Sequence, residues 1–351
     1  MFRLVPTGGR EQQCLALAAE LAGRGHEVAI ASTDSHPVLP AGVRHLPVER
    51  RGRTSHGRLA AFAADAVRAA EGFQRRVVFH LVPGFDAIFC TDPPRGPARG
   101  WRALSPRYRT FASLEAAALA PGARSLVLTL ARPQLAAIQA AYGLAPERAI
   151  LLPPAVDPAR RDPAATPHVP TGRPPLWLWM GLAPRTKGLD RAIAALARTP
   201  QARLAVCGLA REDPKAGPAL RLARRLGVEG RIEWRGFLTG AALKAAFAEA
   251  DLLVHPARAD VTGNVILEAV INGLPAIVTE ACGFSEHVAR AEAGAVVPEP
   301  FGQAELERRL ASADPATRAR WSANGVAYGR TADLYGGIAR AAELIEQWKS
   351  R

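Results

Sequence analysis

The chain has 351 residues, of which 48% are hydrophobic and 22% charged. This is ordinary globular composition and enough material for two cores at roughly 100–200 residues per domain. Disorder, collagen and coiled coil are excluded as main readings, and no apolar run reaches the roughly 18 residues of a membrane-spanning helix. The net charge of +13 rests on 41 Arg and only 4 Lys, so it reads either as a soluble basic surface or as a match for an anionic partner: phosphates, nucleic acid or a membrane face.

The start, Met1 to Pro6, meets a Pro and two Gly at once. No signal-peptide core fits there. Gly8-Gly9 opens a helix pattern over residues 10–24, with Gly25 at its stop. Strand signals follow at Glu27–Ala31, Val77–Phe79, Ala87–Cys90, Leu126–Leu128 and Ile150–Leu152, with helical stretches between several of them. Eight prolines then crowd residues 153–175. They cannot continue a helix or a central strand, so 156–174 reads as a linker. The rhythm restarts with strands at Leu176–Met180, Leu204–Cys207, Ile232–Trp234, Leu252–His255, Ala276–Thr279 and Ala295–Val297, and a helical stretch closes the chain over Pro315–Lys349. The simplest architecture is α/β: two doubly wound, Rossmann-like parallel-sheet domains, 1–155 and 175–329, with the ligand expected in the cleft between them. The four cysteines are scattered and read as small buried hydrophobes of a reducing compartment, the cytoplasm.

Two stretches carry chemistry. Gly181 to Asp190 follows the first strand of the second half and opens a helix. Helix N-terminal N–H groups together with Arg185 and Lys187 suit a diphosphate; the alternative is a surface loop with two solvated cations. A Lys in a chain that otherwise uses Arg favours a compact point charge. Asp251 to Ala269 runs from a strand ending at His255-Pro256, through a loop with Asp260, to a helix that starts at Gly263-Asn264 and bears Glu268. Carboxylates accept paired hydrogen bonds from vicinal diols, so sugar hydroxyls are natural ligands. The alternative is helix capping and a solvated Glu268.

Gly8-Gly9 before a helix, Lys187-Gly188, His255-Pro256 and Asp260…Glu268 before Ala269 together resemble the retaining GT-B nucleotide-sugar glycosyltransferases of family four. There the last motif is usually Glu, seven residues, Glu; here Asp260 takes the first place. Ser55 to Arg58, Pro83 to Asp86, Ser105 to Arg109, Ile150 to Pro154, Leu253 to Pro256 and Ala281 to Phe284 are similar, in collinear order, to the bacterial lipopolysaccharide-core enzymes that attach glucose from UDP-glucose to a heptose through an α-1,3 bond. The resemblance implies a GT-B fold whose last helix, in 330–351, returns to the N-terminal domain. It implies a retaining, metal-independent hexosyl transfer with no cofactor beyond the nucleotide-sugar donor. Lys187, with Arg185, would hold the diphosphate. Glu268 would bind ribose, Asp260 would face the donor sugar, and Gly263, Asn264 and Val265 would offer backbone contacts. His255 would stand near the donor, Gly8 and Gly9 would let the first domain approach it, and Asp92 would lie near the acceptor.

Residues 1–165 carry 21 Arg against 13 carboxylates, a net of +8, so the cationic excess sits on the expected acceptor side. His56, Arg58, Arg107 and Arg109 are the candidate binders of a phosphorylated lipopolysaccharide core, with Arg95, Arg99 and Arg102 nearby. Trp101 to Leu104 mixes an aromatic with basic residues and suits peripheral attachment to the cytoplasmic face of the inner membrane. The alternative is a solvated Arg-rich loop. His80 and five other histidines receive no role. The rival functions are a GT-B relative with another donor or acceptor, and a non-catalytic polyanion binder. A dinucleotide-binding protein is disfavoured because the first turn lacks Gly-x-Gly-x-x-Gly, and nucleic acid because there is no clustered aromatic platform.

Overall fold

The structure, a computed structural model, describes residues 2–4, 8–34, 38–97, 100–167 and 173–348. Arg99, linker residues 168–172, Lys349 and the side chains of Trp101 and Arg102 lie outside the described residues. The chain divides into two compact units. Unit 1 is Met1–Ala155 with Tyr335–Arg351, and unit 2 is Val156–Leu334.

Unit 1 holds α1 (Gly9–Gly23), β1 (Val28–Ser32), β2 (Val43–Pro47), α2 (Ser55–Ala69), β3 (Val77–Val78), β4 (Ala87–Cys90), α3 (Pro106–Leu119), β5 (Leu126–Thr129), α4 (Arg132–Tyr142) and β6 (Ala149–Leu151). Every strand pairing is parallel, in two sheets, β1-β2 and β3-β4-β5-β6. β4 and β5 are buried along their whole length, which is why they read as unbroken apolar runs.

Unit 2 holds β7 (Leu176–Met180), α5 (Leu189–Arg198), β8 (Arg203–Cys207), α6 (Gly217–Arg225), β9 (Ile232–Gly236), α7 (Gly240–Glu249), β10 (Leu252–His255), α8 (Asn264–Ile271), β11 (Ala276–Thr279), α9 (Ser285–Arg290), β12 (Gly294–Val297), α10 (Gln303–Ala311) and α11 (Pro315–Thr331). The six strands form one parallel sheet in the order β12-β11-β10-β7-β8-β9. Apolar cores cover both faces: Leu189, Ile193 and Leu196 of α5 pack under one, and Ile266, Ala269 and Val270 of α8 under the other. That is the doubly wound arrangement expected from the alternating pattern.

Three expectations change. The terminal helical stretch is two helices, α11 and α12 (Gly337–Gln347). α12 belongs to unit 1, where Ala341, Leu344 and Ile345 join the core of Leu17, Ile30 and Phe89. β2, which carries Arg44 and His45 and ends in Pro47, is a strand with no sequence signal. Finally, residues 156–167 of the expected linker are packed into unit 2. Val156 N donates to Leu334 O at 2.9 Å. Asn272 accepts from Asp162 N through Oδ1 at 2.7 Å and donates to Arg160 O at 2.9 Å.

Candidate active site

In unit 2 the strand order reverses between β7 and β10, and open parallel sheets bind ligands beyond the carboxyl ends of such a pair. The loop after β7 and the loop after β10 are the two stretches singled out from the sequence. Loop 181–188 is held firmly. Trp179 Nε1 donates to Lys187 O at 2.9 Å, and Arg258 N donates to Thr186 O at 2.7 Å. The Arg258 guanidinium donates to Arg185 O at 2.7 Å and grips both carboxylate oxygens of Asp190 at 2.7 and 2.6 Å. Gly188 caps α5 at φ +71°, and a Cβ there would stand 2.0 Å from the Pro256 carbonyl oxygen. Only glycine fits that turn.

This bracing aims Lys187 at the second loop. Lys187 Nζ lies 2.6 Å from Asp260 Oδ2, and His255 Nε2 donates to the same oxygen at 3.1 Å. His255 is buried, and among the described residues its Nδ1 has no hydrogen-bond partner. Burial would raise the Asp260 carboxyl, but the His255 hydrogen bond and the Lys187 charge outweigh it and hold it at about 2. Asp260 is therefore a carboxylate whose partners, in this state, are Lys187 and His255. Arg185 is exposed on the same loop. Gly263 caps α8 at φ +80°, three residues beyond Asp260, so the first free N–H groups of that helix, on Asn264 and Val265, follow directly.

Glu268 is one turn into α8. Its partner is Arg160, at 4.0 Å, not the Lys187 cluster. Burial raises its carboxyl, with the Arg160 charge opposing. Asn272 Nδ2 donates to both Arg160 O and Glu268 O, at 2.9 and 2.7 Å, and ties the two together. Arg160, Asn272 and Arg258 escaped the sequence reading, because their roles depend on pairings 68–112 residues away.

In unit 1, Gly8 caps α1, and a Cβ there would strike the Glu11 carboxylate, whereas Gly9 faces open space. Arg10, the next residue, reaches Asp92. It also donates to Thr91 Oγ1 at 2.7 Å and lies 3.2 Å from His80 Nδ1. Burial opposes the charge on Asp92, but His80 and Arg10 win and lower its carboxyl. Burial likewise lowers His80, whose Nε2 is buried without a partner among the described residues. The buried Gln134 amide donates to Asp92 O at 2.9 Å and fixes the loop. His80 thus belongs to the Asp92 cluster, contrary to the sequence reading.

Of the candidate acceptor residues, His56 sits edge-on to Phe111 at 6.5 Å and Arg107 lies 5.8 Å over the same ring. Arg95 covers it at 4.5 Å. Arg95 and Gly96 donate their backbone N–H groups to the fully buried Glu115. Arg58 Nε is taken up by Gly52 O at 2.9 Å, and Arg109 is exposed. Among the described residues, no three or more His, Cys, Asp or Glu side chains are grouped to hold a metal ion, and no helix is long and apolar enough to cross a membrane.

Residues 165–327 match the family model described as glycosyl transferases group 1. The chain is 31% identical to the lipopolysaccharide glucosyltransferase WaaG of Escherichia coli (strain K12), over 98% of this chain and 97% of that one. It is similar to the crystal structure of WaaG at a TM-score of 0.89, with 29% identity over 99% and 98% of the two chains. Sucrose-phosphate synthase of Thermosynechococcus elongatus, at a TM-score of 0.78 and 20% identity over 97% and 93%, shares the fold. So does Anabaena HepE in complex with UDP and glucose, at 0.70 and 19% over 99% and 98%.

Proposed function

The chain belongs to the WaaG-like family-four glycosyltransferases of GT-B fold, and from that premise we propose that it moves glucose from UDP-glucose to a heptose of the lipopolysaccharide core, with retention of configuration. The observation that carries the reading is the Lys187–Asp260–His255 cluster beyond the ends of β7 and β10, beside the start of α8. Breaking the bond between the sugar carbon and the diphosphate oxygen leaves charge on the departing diphosphate. Lys187 exchanges Asp260 for that diphosphate. Arg185 adds a second cation, and the Asn264 and Val265 N–H groups supply donors. Asp260, relieved of Lys187, accepts hydrogen bonds from the donor sugar, and Glu268 accepts them from the ribose diol. With these groups meeting the charge, the reaction needs no metal ion and no further cofactor.

On unit 1, Asp92, aimed by Arg10, orients the acceptor hydroxyl. His56, Arg107 and Arg109, with Arg95, meet the phosphates of the core. Leu104, 83% exposed, suits a peripheral site at the cytoplasmic face of the inner membrane. The test is a screen of nucleotide sugars against a heptose-terminated core acceptor, with and without chelator, reading the anomeric configuration of the product. The reading requires UDP-glucose to be the preferred donor, an α product and turnover unaffected by chelation. Another preferred donor sinks the substrate assignment, and an inverted product sinks the mechanism.

A further inference from the structure

The Arg10 guanidinium, on the first turn of α1, meets three groups at once. Its Nε donates to Thr91 Oγ1 at 2.7 Å, one Nη donates to Asp92 Oδ1, and the other Nη lies 3.2 Å from His80 Nδ1. Thr91 and Asp92 are themselves held. The Thr91 hydroxyl donates to Phe79 O at 3.1 Å, just past β3, and so turns a lone pair toward Arg10. The Gln134 amide of α4 donates to Cys90 O at 2.7 Å and to Asp92 O at 2.9 Å, which fixes the backbone leaving β4.

This geometry places one proton. A guanidinium has donors and no acceptor, so the His80 nitrogen facing it must accept. The imidazole proton then sits on Nε2. His80 is only 8% exposed, and burial disfavours its charged form. Its Nε2–H is buried with no partner among the described residues. A buried donor without an acceptor is destabilising, so packing alone does not account for a histidine here. Asp92 Oδ2 lies 3.8 Å from the same Nδ1, beyond hydrogen-bond reach.

We propose that His80 is a positioning residue for the transfer: its Nδ1 draws one arm of the Arg10 fork aside, so that Arg10 holds Asp92 through Oδ1 alone and Oδ2 is kept for the acceptor hydroxyl. The inference rests on the reading of Asp92 as the carboxylate that orients the acceptor. Without His80 the freed arm would have no acceptor there, and the favoured alternative for a guanidinium beside a carboxylate is the paired, two-oxygen grip. That grip would occupy both Asp92 oxygens. His80 itself touches no substrate and acts through Arg10.

The first test needs no substrate. Nitrogen NMR of the histidine rings in the full chain at pH 7 should show His80 neutral, with its proton on Nε2. A proton on Nδ1, which would point toward Asp92 instead, overturns the proposal, and so does a charged ring. The second test is kinetic. His80→Leu should lower kcat/KM for the acceptor about 10–100-fold with donor KM unchanged. His80→Asn returns an acceptor oxygen at the Nδ1 place without the stranded N–H and should restore turnover to within about fivefold of wild type. In an Arg10→Met background, His80→Leu should add less than about twofold, because both changes act through one fork. Full turnover of His80→Leu, an Asn variant as impaired as the Leu one, or losses that multiply in the double variant each overturn the proposal. Should His80→Leu not fold, the ring proton and His80→Asn decide. If the wild type transfers no sugar while His80 carries its proton on Nε2, it is the proposed reaction that fails and not the contact with Arg10.

Discussion

Asp260→Asn keeps the shape of the side chain and removes its charge. The fall of the Asp260 carboxyl from the ordinary 3.8 to about 2 corresponds, at about 1.4 kcal/mol per pH unit, to about 2 kcal/mol of stability at neutral pH. A carboxylate lowered in the folded state contributes that stability fully above its unfolded value and loses it as pH falls toward the folded one. The variant should therefore be about 2 kcal/mol less stable at pH 7, or about 4–8 °C in Tm for a unit of this size. The gap should close as pH drops from about 4 toward 2, where the wild type protonates. Urea unfolding of both proteins across that range is the assay. Equal stability at pH 7 would refute the ion-pair account, and a deficit as large at pH 2.5 as at pH 7 would show that the loss comes from packing instead.

Lys187→Ala should lower kcat by about 10²–10³, the effect of removing one well-placed donor to a developing oxyanion; full turnover removes Lys187 from the reaction. Glu268→Gln should raise donor KM while leaving the fold as stable or more stable at pH 7. A carboxyl raised by burial favours the folded state only while protonated, and that advantage, full below its ordinary value, is lost as pH climbs from there through the raised one; a marked loss of stability at pH 7 would contradict this. Gly188→Ala should cost about 2–4 kcal/mol, from the positive φ and the Pro256 carbonyl together, and activity should fall further because Lys187 is displaced; an unchanged Tm would count against the turn. Glu115→Gln should lower Tm and weaken binding of a phosphorylated acceptor together, since Glu115 holds the Arg95 backbone; unaltered binding would separate Phe111 and its arginines from acceptor recognition.

Four strands of unit 2, β7, β8, β10 and β11, were legible because they are buried along nearly all their length and spell continuous apolar runs. β2 was not, because the adjacent Arg44 and His45 interrupt its apolar run and it is partly exposed. Lys187, Asp260 and Glu268 stood out by their places at helix starts and strand ends. Their mutual arrangement did not: Asp260 pairs with Lys187 across 73 positions of sequence, and Glu268 pairs with Arg160 instead. Asp92 was noticed alone, yet its charge is shared with Arg10 and His80, at distances of 82 and 12 positions. No local pattern encodes such pairings. They arise where a sheet sets strand ends side by side.

The indole of Trp179 offers one more consequence. It is fully buried and donates its N–H to the carbonyl of Lys187. Under the proposed exchange of Asp260 for a diphosphate, the field that Lys187 exerts on this chromophore would change. If the loop takes a diphosphate as proposed, this buried indole is an intrinsic reporter beside it, and occupancy is expected as a change in emission that needs no label.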